Sequence, residues 1–306
     1  MIHAHLTEFH GLPVQYIGGA GAASASQVAW RVFGDPYEGA DPIDDSFRQL
    51  FDEVDCDVVR ALVVGTWGWA HENQRADVPV RLLVEAASRL PALEAIFLGD
   101  YVSEESEISW IGQADVTPLL TAYPRLKRLD VRGSDGLELH PVEHTSLETL
   151  RFESGGLPAA VVRAIGASTL PALRDLELWL GTEEYQGDSG PGDWAAILAG
   201  GGLPALTRLG LQDSARQDEV AAAVATAPIV ARLESLDLSM GSLTDEGAEA
   251  LLSGQPLTHL KHLNLRHHFL SEEMAAKILD TLPGVEVDLS DRQDAEDTWR
   301  FIEVSE

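Results

Sequence analysis

The chain has 306 residues, 45% of them hydrophobic, and sets 21 lysines and arginines against 50 aspartates and glutamates, a formal charge of −29. That balance disfavours nucleic acid or an anionic membrane surface as a partner, because the phosphate term is repulsive; a cationic surface is the physical complement, although the same charge also keeps a large apolar array soluble. A single cysteine, Cys56, excludes a disulfide framework or thiolate metal cluster, no run of about 18 apolar residues is present, and MIHAHLTEFH has no signal-like pattern, so a cytoplasmic chain is expected.

Residues 1–58 read as an N-terminal capping unit. Residues 14–17 and 28–33 have strand composition, and residues 46–54 read as an acidic helix with Phe47, Leu50, Phe51 and Val54 on one face. Between the two strands, Gly19-Ala20-Gly21-Ala22-Ala23-Ser24 imitates a dinucleotide-binding loop with Asp35 as its ribose acid. A true crossover of that kind needs a helix of about ten or more residues, and almost no chain separates Ser24 from Val28. The segment therefore reads as a hairpin or loop.

Residues 59–290 read as the repeat body. Leucines mark its register at 62, 93, 126, 147, 173, 206, 233 and 260, and Leu233, Leu236 and Leu238 recur 27 residues on as Leu260, Leu263 and Leu265. Between these marks lie helical runs over 80–90, 116–122, 158–167, 194–199, 219–225, 245–252 and 272–282. Several close on Pro-x-Leu returns at Pro91, Pro171 and Pro204. A Leu-x-x-Leu-x-Leu core at a fixed period is the mark of stacked strand-plus-helix units. The expected fold class is an α/β leucine-rich-repeat solenoid, a horseshoe with a curved parallel sheet inside and helices outside. Residues 291–306 read as an acidic linker and a C-terminal cap, with 299–304 alternating as a last strand or cover.

SLTDEGAEALL (242–252) and FLSEEMAAKIL (269–279) resemble the turn-to-helix position of ribonuclease-inhibitor-like leucine-rich repeats. HLTEFHGLPV (5–14), VAWRV (28–32) and ISWIGQADVTPLLTAYPRLKRLDVRG (108–133) resemble a family of uncharacterised bacterial leucine-rich-repeat proteins encoded near radical-SAM and ATP-grasp-type enzymes. That resemblance implies a supporting protein in a bacterial modification pathway and brings no catalytic residues with it. One departure is that the asparagine ladder of such repeats is replaced by Ser134, Gly155, Gly181, Ser214, Gly241 and His268, which predicts looser curvature.

Three motifs suggest chemistry. Gly187-Asp188-Ser189-Gly190-Pro191 imitates a serine-protease nucleophile with His71 upstream, but a triad needs a scaffold that brings three distant residues together, and Asp193 there fits a helix cap. His259, His262, His267 and His268 lie across a turn and not along one helical face, so they read as turn and surface residues. The acidic groups lack calcium-loop spacing. No catalytic, cofactor or metal residues are expected.

The aromatic residues carry the functional expectation. Trp67, Trp69, Tyr101, Trp179 and Tyr185 all follow strands, so a solenoid gathers them on one rim beside the sheet's outward positions, which include Phe97, Arg128, Arg132, Arg151, His262 and Arg266. Such a rim suits a protein partner, and the arginines can alternatively pair with acids on neighbouring strands. Trp110 and Trp194 read as inward helix anchors. The expected function is a non-enzymatic protein-binding scaffold, or, through the resemblance, an accessory subunit to a radical-SAM or ATP-grasp-type enzyme.

Overall fold

The computed structural model describes residues 2–18, 24–34, 42–67, 75–295 and 299–306. Twelve strands form one sheet in which spatial order equals chain order. They are β1 (Glu8–Phe9), β2 (Leu12–Tyr16), β3 (Ala29–Val32), β4 (Ala61–Val64), β5 (Ala95–Leu98), β6 (Arg128–Arg132), β7 (Thr149–Glu153), β8 (Asp175–Gly181), β9 (Arg208–Ser214), β10 (Ser235–Asp237), β11 (His262–Asn264) and β12 (Glu286–Asp288). Only β1 and β2 pair antiparallel; every later neighbour is parallel. The sheet thus runs without a break across residue 58; residues 19–23 of the glycine-alanine segment lie outside the described residues, and the strands on either side of it, β2 and β3, pair parallel and so do not form a hairpin.

Eight α-helices lie among the described residues: α1 (Pro42–Glu53), α2 (Asp77–Glu85), α3 (Thr117–Ala122), α4 (Ala159–Ala167), α5 (Pro191–Ala199), α6 (Gln217–Ala225), α7 (Asp245–Ser253) and α8 (Glu272–Thr281). All overlap the expected helical runs. Two begin on the residues that opened the twin repeats, where Thr244 Oγ1 accepts from the Glu246 amide at 3.2 Å and Ser271 Oγ accepts from the Met274 amide at 3.1 Å. None is long and apolar enough to cross a membrane.

The register is held where each strand begins. The amide of Glu94 donates to the Arg60 carbonyl, Lys127 to Glu94, Glu148 to Lys127, Arg174 to Glu148, Thr207 to Arg174, Glu234 to Thr207, Lys261 to Glu234 and Glu286 to Lys261. Each unit therefore starts at the same height on its neighbour although crossover lengths differ. Behind the sheet, Leu62, Leu129, Leu150, Leu176, Leu209, Leu236 and Leu263 form one buried row that packs with the apolar faces of the helices.

Side chains beside the turns bond the buried backbone groups there. Gln113 Nε2 donates to the Arg132 carbonyl at 2.7 Å, Ser154 Oγ to Trp179 O at 3.0 Å and Gln217 Nε2 to Leu211 O at 2.9 Å. His268 donates from Nε2 to Leu289 O at 3.1 Å and accepts the Leu270 amide at Nδ1 at 3.1 Å. His144 does the same between Tyr123 O and the Leu147 amide. Varied side chains thus meet one demand, the pairing of buried backbone groups.

Leu236→Ala is expected to cost about 2–5 kcal/mol in urea unfolding, because Leu236 has no exposed surface and the row around it cannot collapse. Cys56 is half-buried with its Sγ 3.6 Å from the Leu50 carbonyl, and burial pushes its thiol above the ordinary range. Fewer molecules carry the thiolate at a given pH. Disulfide-reagent labelling of the native chain is therefore expected to keep rising with pH beyond the point where the urea-unfolded chain levels off.

Candidate functional site

The sheet face away from the helices changes character halfway along. Its first part presents Ala29, Ala61, Val63, Ala95 and Phe97, all buried, and Phe9 covers them with its ring 5.8 Å from that of Phe97 and nearly perpendicular to it. Leu6, Leu12 and Val14 pack on the same patch. Small side chains on three adjacent strands leave the depth into which the N-terminal segment fits. The Leu6 amide donates to the Asp100 carboxylate at 3.3 Å and fixes that segment's position.

Charged side chains enter this face with Arg31 on β3 and dominate it from β6 onward, where one run of ion pairs links Arg31 to Glu177 and two further pairs stand beside it. Arg31 and Asp100, both buried, pair beneath the N-terminal segment. Arg31 also donates to His5 Nδ1 at 3.1 Å; burial and this guanidinium hold the His5 ring below its ordinary range. Arg132 lies 3.5 Å from Asp100 and bonds Glu153 at 2.6 Å. Arg151 then spans Glu153 and Glu177, 3.0 Å from each, and stands 5.5 Å over the Trp179 ring, whose indole N–H donates to Glu177 at 3.0 Å. Arg128 forks onto buried Asp130 at 2.9 and 2.7 Å, and Arg208 bonds Asp175 at 2.9 Å. Burial raises Asp130 and Glu177 above the ordinary carboxyl range even though Arg128 and Arg151 pull the other way.

The structure separates the expected site residues into two sets. Trp67 (4% exposed), Tyr101 (3%) and Trp179 (7%) are interior, and so are Phe97 and Arg132. Trp67 and Tyr101 meet edge to face at 5.0 Å, and the Tyr101 hydroxyl accepts the Trp67 amide at 2.8 Å. Trp67 and Tyr101 pack on each other and Trp179 lies under the Arg151 guanidinium, so these three rings are enclosed and are not an open aromatic surface, whereas Tyr185 stays half-exposed. Trp69 and His71 lie outside the described residues. Arg128, Arg151 and Arg266 remain half-exposed and His262 is exposed. Trp194 is buried as expected, whereas Trp110 is 58% exposed and does not pack inward.

The final segment completes that enclosure. It forms no strand; it crosses the strand ends in the direction opposite to chain order. The Glu303 amide donates to Met240 O at 2.8 Å, the Val304 amide to Asp213 Oδ1 at 3.1 Å, and Ser109 Oγ to Ser305 O at 2.5 Å, while the Tyr185 hydroxyl pairs with Glu306. A Cβ on Gly155 would sit 2.3 Å from the Ser305 carbonyl, so glycine is required there. Beneath this strap Asp213 is fully buried, and desolvation pushes its carboxyl well above the ordinary range. The anchoring roles of Asp100 and Asp213 were not legible, because each looks like one more acid in a strongly acidic chain.

The protease-like motif has a structural role. Ser189 is buried, and its Oγ accepts the Trp194 indole N–H at 3.0 Å. Asp193 stands inside α5, not before it, and accepts the Gly190 amide at 2.9 Å; that bond, and then Arg163, hold its carboxyl below the usual range.

Among solved structures, the chain is similar to a Bacteroides fragilis protein determined as a structural-genomics target, with 30% sequence identity and a TM-score of 0.81, over 90% of this chain and 78% of that one. InlP of Listeria monocytogenes matches over 79% of this chain and 57% of its own, at 16% identity and a TM-score of 0.38, a likeness too low to carry an argument. No family model and no curated protein matches the sequence.

Glu153→Ala is expected to cost about 3–5 kcal/mol in urea unfolding, since it leaves Arg132 buried with one partner fewer. Removing the exposed Arg81–Glu85 pair is expected to cost less than about 1 kcal/mol.

Proposed function

The chain belongs to the same family as the Bacteroides fragilis protein, and from that premise we propose that it is a non-enzymatic protein-binding scaffold. In this reading the sheet is the inner wall of a leucine-rich-repeat horseshoe, and its face from β7 to β12 is the docking surface. The observation that carries it is the exposure pattern along that face. Apolar β3–β5 positions lie under the N-terminal segment, but Thr149, Asp175, Arg208, Ser235, His262 and Glu286, one per strand in register, stay half-exposed or exposed. A polar comb of mixed sign on a rigid sheet supports recognition of a folded partner by paired charges and hydrogen bonds, and these contacts contribute specificity and association rate more than raw affinity.

A narrower form of the reading, an accessory or substrate-presenting subunit of a cytoplasmic radical-SAM or ATP-grasp-type pathway, rests on the sequence resemblance alone. Because Trp67, Tyr101 and Trp179 are interior, the test belongs on the comb. In pull-downs from the native host at low and moderate salt, Arg208→Glu/His262→Glu is expected to lose a partner that the wild type and a helix-side Lys277→Glu control both retain. Equal capture by all three chains would sink the proposed face.

A further inference from the structure

We infer that His267, Asp291 and Glu303 form a binding site for a zinc-class divalent cation that clamps the final segment to the last two turns of the array. One ligand atom from each of the three lies within 4.8 Å of the others. The residues come from separate places: His267 follows β11, Asp291 follows β12, and Glu303 belongs to the strap.

The hydrogen bonding of His267 carries the argument. The residue is 3% exposed, and its Nε2 lies 3.2 Å from the Phe301 carbonyl, an oxygen that can only accept, so Nε2 holds the proton. Nδ1 faces Asp291 Oδ2 at 3.1 Å. Two acceptors at that distance require a proton or a cation. A metal-binding histidine typically donates its other N–H to a backbone carbonyl or carboxylate, which fixes ring orientation and tautomer, and the Phe301 bond supplies that support here.

The local charge points the same way. Arg266 forks onto both oxygens of Glu303 and stands 3.7 Å from Asp291, so one guanidinium faces two carboxylates. Two carboxylates against one guanidinium leave one negative charge for a ring proton or a bound cation to offset. Each Glu303 oxygen keeps a second lone pair when it accepts from Arg266, so the ion pair and coordination are compatible. Gln293 Nε2 donates to Asp291 Oδ1 at 3.0 Å and lies 3.4 Å from Nδ1, which leaves Oδ2 turned toward the cluster. One imidazole nitrogen with two carboxylate oxygens suits Zn²⁺ or Co²⁺ better than Ca²⁺ or Mg²⁺, which favour all-oxygen sites. Water can complete the coordination.

The test is calorimetric titration of the chelator-treated full chain with ZnCl₂ and CoCl₂ at pH 7, in millimolar Mg²⁺ to suppress general attraction to the acidic surface. One equivalent is expected to bind, with Asp291→Asn and His267→Gln each weakening it by at least about tenfold. Zn²⁺ is also expected to slow tryptic cleavage after Arg300 in the wild type and not in Asp291→Asn. Asp291 is exposed, so that variant reports on binding even if His267→Gln folds poorly. Absence of a stoichiometric site, or undiminished binding by Asp291→Asn, would overturn the inference and leave an imidazolium ion pair at His267.

Discussion

Parallel pairing is the constraint on which everything else depends. Neighbouring parallel strands cannot be joined by a tight turn, so each must return through a crossover, and here every crossover delivers the next strand to the same height. The amide-to-carbonyl chain from Arg60 to Glu286 repeats that placement unit by unit. Because side chains alternate along a strand, one-residue slippage at any unit would turn its leucines outward. The row through Leu62, Leu129, Leu176, Leu209 and Leu236 shows the consequence: helices collect on the leucine side, and the other side is left to different chemistry.

That other side is resolved in two ways. Over β3–β5 it is small and apolar, and the N-terminal segment buries it. Over β6–β9 its acids and bases are interleaved, and Arg132 and Arg151 each serve two acids, Arg151 between Glu153 and Glu177. Taking such charges out of water is costly, and the mutual attraction offsets that cost only where the remaining hydrogen bonds are also made. The network therefore gains more in fixing the relative position of strands and covering segments than in net stability.

The two chain ends close the array from opposite directions. The first segment lies across the open face and is tied to Asp100; the last runs back over the strand ends and is tied to Asp213, Met240 and Ser109. Residues far apart in sequence are neighbours only because these straps cross the repeats at an angle. The grouping of His267, Asp291 and Glu303 arises in this way.

The sequence by itself determined the local and periodic features. Leucine spacing located the strands, Thr244 and Ser271 located two helix starts, and the prolines at 91, 171 and 204 marked the returns, because these signals depend on backbone chemistry and on contacts between adjacent units. Strand alternation also named the outward residues, including the arginines that pair with acids on neighbouring strands. Which of those residues stay open to solvent was decided only by the tertiary structure. Trp67, Tyr101 and Trp179 have the composition of a binding rim, yet they are buried, Trp67 and Tyr101 against each other and Trp179 against Arg151 of the neighbouring strand. Exposure there depends on contacts between units far apart in the chain, and no spacing within one repeat records them.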